Sequence, residues 1–131
     1  MYRTCCTTRH SRPAHLLGLT LPRPALYARI EARVDSMLAA GLEAEVRGLL
    51  DQGYSPTLGP LRSLGYKEMV QYLYGDLEYP LAVEQIKQNT RRYSKRQQTW
   101  FHADPQITWF DVSALSSATV ADRLEAYLMP G

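Results

Sequence analysis

Two short runs in this chain read as β-strands, and they stand far apart. HLLGLTL covers residues 15–21 and ITWFDV covers 107–112. The second is dense in β-branched and aromatic residues, which suit a pleated, half-buried surface. The first is apolar and short, and periodicity alone does not separate a strand from a buried helix there. Two strands do not make an independently stable sheet. They predict a sheet whose other strands lie outside this sequence, so the chain reads as part of something larger.

The sequence between the two strands reads as helices. Pro22 and Pro24 suit a first helical turn, and Leu26, Ile30, Val34, Met37 and Leu38 follow at helical spacing up to a stop at Gly41. Leu42, Val46, Leu49 and Leu50 mark a second helix ending at Gly53. SPTLGP, residues 55–60, is a loop by its Pro and Gly content. A third helix is expected from about Leu64 to Tyr74, with Met69, Val70 and Leu73 on its apolar side. Pro80 opens a fourth, long helix that ends before Pro105. Its apolar track runs through Leu81, Ala82, Ile86, Tyr93, Trp100 and Phe101, and weakens at Asn89, Thr90 and Gln97. A last helix, capped by Ser116, Ser117 or Thr119, carries Val120, Leu124, Tyr127 and Leu128. The fold class is therefore mainly α, about five helices with two short strands.

Charge is ordinary in sum and uneven in place. The 131 residues carry a formal net charge of +2, with 45% apolar and 21% charged residues, as in a soluble globular protein. Residues 84–102 hold Lys87, Arg91, Arg92, Lys95 and Arg96 against Glu84 alone, with two further aromatics at Trp100 and Phe101. The cations recur at i, i+4 spacing and form a basic stripe that only Glu84 is near enough in sequence to relieve. A polyanion removes that repulsion, and an exposed basic face without a partner is the competing account. Gln97, Gln98 and Thr99 add groups that donate and accept together, as base edges require. Trp100 and Phe101 offer a stacking surface to an unpaired base. Burial statistics favour a core role for such a pair, so one of the two is expected to pack inward.

A second segment, RSLGYKE at 62–68, sets Arg62 and Lys67 around Gly65 and Tyr66. Gly65 permits close backbone approach or a positive φ. A helix start flanked by cations also exposes backbone N–H groups to an anion. On its own this segment is equally a plain helix N-terminus.

Other chemistries find no support. There is no G-x-x-x-x-G-K-[ST] or G-x-G-x-x-G motif, and His10, His15 and His102 have no metal-ligand spacing. Asp51, Asp76 and Asp111 sit near turns or strand ends, where a turn or cap role is expected. Cys5 and Cys6 are adjacent and give no disulfide framework, so a reducing, cytoplasmic setting is the simplest reading. No apolar run approaches the roughly 18 residues that span a bilayer. Residues 1–14 lack a secretory h-region, and a disordered start is expected, with an Arg-rich transit peptide as the lesser alternative.

Three segments in this order resemble one family. GLTLPRPALYARIEARVDSMLAAGLEAEV, RSLGYKE and NTRRYSKRQQTWFH, followed by the WFD strand, are similar to the C-terminal half of bacterial tRNA dimethylallyltransferases, over roughly Leu17 to Val112. The resemblance implies a P-loop-type α/β fold of which residues 15–131 form the C-terminal helical portion. It implies transfer of a dimethylallyl group from dimethylallyl diphosphate to N6 of the adenosine at tRNA position 37, with the base flipped into a channel. The family holds the diphosphate on its P-loop with Mg²⁺, and an aspartate takes the N6 proton. By similarity, Arg62, Ser63, Leu64, Gly65, Tyr66 and Lys67, and then Lys95, Arg96, Gln97, Gln98, Thr99, Trp100, Phe101 and His102, belong to segments that contact the tRNA anticodon stem-loop. Arg91, Arg92, Arg23 and Arg33 are candidate phosphate contacts.

The departures from the family pattern matter as much. The P-loop, the aspartate base and the helical insertion are N-terminal in the family and have no counterpart in this sequence. His102 stands where the family usually has arginine, and Ser94 where it has alanine. The expectation is a monomeric, cytoplasmic C-terminal fragment that supplies tRNA contacts but no catalytic residue and no metal ligand. The abrupt change of character before HLLGLTL suggests a truncated or misassigned gene start. A stand-alone RNA-binding module and an inactive truncated product remain open as alternatives.

Overall fold

The computed structural model describes residues 15–113 and 115–129. The segment expected to be a disordered start, residues 1–14, lies outside them. Five α-helices and two short strands are found among the described residues. The chain divides into two compact units, Pro22–Ala103 and a second built from the segments before and after it.

The second unit contains both strands. β1 (Leu16–Thr20) and β2 (Ile107–Asp111) pair in parallel, with Leu16 opposite Ile107 and Thr20 opposite Asp111. Gly18 lies opposite Trp109, and the lack of a side chain there makes room for the indole. A Cβ at this position would stand 2.6 Å from Trp109 Cε3 and 2.9 Å from Ile107 Cγ2. Gly18→Ala is therefore expected to cost about 1–3 kcal/mol of this unit's stability through overpacking. A lower urea midpoint of the Trp109 fluorescence, read in a Trp100→Phe background, would confirm it, and an unchanged midpoint would contradict it. The last helix, α5 (Ser117–Leu128), is capped by Ser116, whose hydroxyl accepts the Thr119 N–H at 3.2 Å. Its Tyr127 ring meets Phe110 edge-on at 5.4 Å, and its hydroxyl lies 3.2 Å from Thr108 Oγ1. Asp111 takes the turn role expected of it: its carboxylate accepts the Ser113 N–H, and these bonds with Ser113 hold its pKa below the usual value.

The larger unit is a helical cluster. α1 (Arg23–Ala39) and α2 (Leu42–Asp51) follow the expected boundaries closely. A 3-10 turn at Gly59–Arg62 forms where the loop was expected to continue, with Pro60 suited to its start. α3 (Tyr66–Leu73) begins two residues later than its pattern suggested, because Ser63 is extended and Gly65 has a φ of 92°, outside any helix. α4 (Tyr79–His102) is the long helix opened near Pro80. Val34, Leu42, Val46, Met69, Val70, Ala82 and Ile86 form the buried core, so all four helices contribute. Among the described residues no helix is long and apolar enough to cross a membrane.

Candidate nucleic-acid interface

The long helix does not present its cations as one stripe. Lys87 and Arg91 turn toward α1. Lys87 Nζ lies 2.6 Å from Asp35, and Arg91 donates to Glu31 at 2.6 Å and to Glu84 at 3.1 Å. The hydrogen bond to Glu84, with Glu31 beside it, holds the Arg91 guanidinium above its usual pKa. The expectation that Glu84 alone could relieve the stripe is thus corrected: α1 supplies two more carboxylates. Lys87 and Arg91 join helix to helix.

Arg92 and Arg96 lie on a different face. They line a polar cavity of about 360 Å³ together with Arg62, Leu64 and Lys67 from the start of α3. Tyr93, Glu68 and Asn89 complete the lining. No carboxylate among the described residues forms an ion pair with any of these four cations; Arg96 instead sits 6.0 Å from the Tyr93 ring centroid, a cation–π contact. Two segments that are separate in sequence therefore converge on one basic site.

Glu68 explains how the first segment is held. It is fully buried, the one polar or charged residue in the core among those described. Its Oε2 accepts the Gly65 N–H at 2.9 Å, one half of a capping box at the start of α3. Its Oε1 accepts from Asn89 Nδ2 of α4 at 2.8 Å. Both carboxylate oxygens are thus engaged, as a buried carboxylate requires. Sequence reasoning gave neither Glu68 nor Asn89 a role. The usable signal was Asn89 at an inward-facing position of α4, which registered only as a weak point in the apolar track.

The remaining residues of the two segments lie elsewhere. Gly65 is buried. Ser63 and Tyr66 line an apolar cavity of about 370 Å³ with Leu49, Tyr54, Leu58 and Leu61. The Tyr66 hydroxyl donates to Glu45; that bond, with burial, raises the phenol pKa. On α4, Thr99 donates to the Lys95 carbonyl and His102 Nδ1 lies 2.8 Å from the Gln98 carbonyl, so these side chains engage their own helix. Lys95 and Gln97 are exposed and Gln98 is half-buried. Arg23 and Arg33 are exposed on α1 and do not line the cavity.

Trp100 and Phe101 are 79% and 43% exposed, and their rings meet edge-on at 6.2 Å. Neither packs inward, which overturns the expectation that one would. Trp100 lies on the cavity face of α4, because Asn89, Arg92, Tyr93, Arg96 and Trp100 recur at intervals that share one side of a helix. It stands about 6 Å along the axis from Arg96 by helical rise. Cations and an open indole therefore share one stripe. Among the described residues no three His, Cys, Asp or Glu cluster to hold a metal ion.

Known proteins resemble this chain in sequence and fold. The IPP transferase family profile matches residues 3–104, beginning ahead of Leu17. A tRNA dimethylallyltransferase of Pelotomaculum thermopropionicum is 54% identical over 97 residues, which are 74% of this chain and 31% of the relative. One from Natranaerobius thermophilus is 42% identical over 118 residues, 88% of this chain and 36% of the relative. The crystal structure of a full-length tRNA isopentenylpyrophosphate transferase from Bacillus halodurans superposes with a TM-score of 0.81 at 37% identity, covering 86% of this chain and 37% of that one. The chain spans about a third of the length of the relatives it matches.

Proposed function

The chain belongs to the IPP transferase family, and we propose that it serves tRNA modification there by holding the anticodon stem-loop of tRNA for dimethylallyl transfer to an adenosine. The observation that carries this is the convergence of Arg62, Lys67, Arg92 and Arg96 on one cavity without carboxylate partners. Four cations stand against one buried carboxylate, Glu68, so the cavity carries an excess of positive charge that phosphates relieve. Arg adds bidentate geometry that a phosphate oxygen pair satisfies. Trp100, on the same helical stripe and 79% exposed, suits stacking with a base next to those phosphates.

Dimethylallyl transfer needs more than a tRNA grip. The diphosphate leaving group develops charge in the transition state, and its stabilisation is usually the largest catalytic contribution. No phosphate-loop motif occurs in these 131 residues. The chain is accordingly expected to bind an anticodon stem-loop RNA and to transfer nothing from dimethylallyl diphosphate unless a phosphate-loop portion of the family fold is supplied. The test incubates the full chain with a synthetic anticodon stem-loop, Mg²⁺ and labelled dimethylallyl diphosphate. Retention of RNA without labelled product supports the proposal. Labelled RNA from the purified chain alone would contradict it.

A further inference from the structure

We propose that the hydrogen bond between Glu68 and Asn89 is the latch that makes one RNA site out of two basic segments. The inference rests on the RNA-binding reading above and goes beyond it by naming two positioning residues that act through the placement of the cations around them. Arg62 and Lys67 belong to the approach and first turn of α3, and Arg92 and Arg96 belong to α4. Glu68 reaches both groups. Through Oε2 it fixes the Gly65 backbone midway between Arg62 and Lys67. Through Oε1 it binds Asn89, which is three residues before Arg92 and seven before Arg96 on the same face.

The burial of Glu68 sharpens this. A carboxylate with no exposure keeps both acceptor oxygens satisfied only while the α3 start and α4 hold one relative placement. That placement is the one that brings the four cations around the cavity. Apolar residues at both positions together would pack the helices without a stranded polar group. It would not fix the start of α3 against the turn of α4 that carries Arg92.

The test measures binding of an anticodon stem-loop RNA to the full chain across a salt series. Asn89→Leu removes the bond without changing charge, and leucine favours a helix. Its affinity is expected to fall about tenfold. The slope of log K against log salt should also flatten by roughly 0.7–0.9 for each phosphate that the variant no longer neutralises. The paired variant Glu68→Gln with Asn89→Asp reverses the direction of the bond at constant charge, and is expected to restore both affinity and slope. Far-UV circular dichroism checks that each variant keeps its helices. If Asn89→Leu melts earlier but binds RNA with unchanged affinity and slope, the pair is merely structural and the proposal is overturned. Failure of the paired variant to recover binding would also overturn it. Absence of salt-dependent binding by the wild-type chain would instead remove the RNA-binding reading on which the latch depends.

Discussion

Replacing Arg62, Arg92 and Arg96 together with alanine is expected to weaken binding of an anticodon stem-loop RNA by about 100-fold at low salt. Each guanidinium that meets a phosphate releases counterions and adds a charge-assisted bond. Removing three such cations should also flatten the salt slope by roughly 2 to 3. All three side chains line the cavity and none has a carboxylate partner among the described residues, so their removal leaves no acid stranded. Arg91→Ala makes the informative contrast. Its guanidinium already bonds Glu31 and Glu84, so its loss should lower stability only slightly and leave RNA affinity nearly unchanged. Equal reductions of affinity in the two variants would contradict the division of the helix into a paired face and an open one. Fluorescence anisotropy with labelled RNA reads both.

Met69→Ala is expected to destabilise the helical unit by about 2–5 kcal/mol. Met69 has no exposed surface, and it packs among core residues contributed by all four helices of that unit. Truncation removes its transfer free energy and leaves a cavity that the surrounding helices fill only in part. Met69 is also the next residue after Glu68, so the same segment that seats the cations is anchored in the core. Urea unfolding followed by far-UV circular dichroism measures the effect. A midpoint within error of the wild type would mean that the helical unit does not depend on this core.

Much of the architecture was legible because it is local. Gly41, Gly53, Pro80 and Pro105 punctuate the helices, and the structure places the boundaries near them. Both strands were legible from their residue types, and they pair with each other in parallel. The two basic segments were also visible as motifs and as a family resemblance. What they form together was not. Asp35 and Glu31, the cross-helix partners of Lys87 and Arg91, lie on α1, some 60 residues away in the case of Glu31, and no spacing rule reaches that far. For the same reason the basic stripe looked uniform, although one half of it is paired and the other open. Trp100 and Phe101 misled in the opposite direction. Burial statistics favour a core role for aromatics, yet the helix end that carries them packs neither inward. Asn89 shows that a break in an apolar pattern can mark a site, because a polar residue facing inward needs a partner, and here that partner is the buried Glu68.

The most direct test of the central claim is the affinity of the full chain for an anticodon stem-loop RNA, measured from low to high potassium chloride. The account predicts that log K falls linearly and steeply with log salt, and that the Arg62, Arg92 and Arg96 replacement flattens the line while Arg91→Ala does not. A flat line for the wild-type chain, or a slope untouched by the triple replacement, would contradict it.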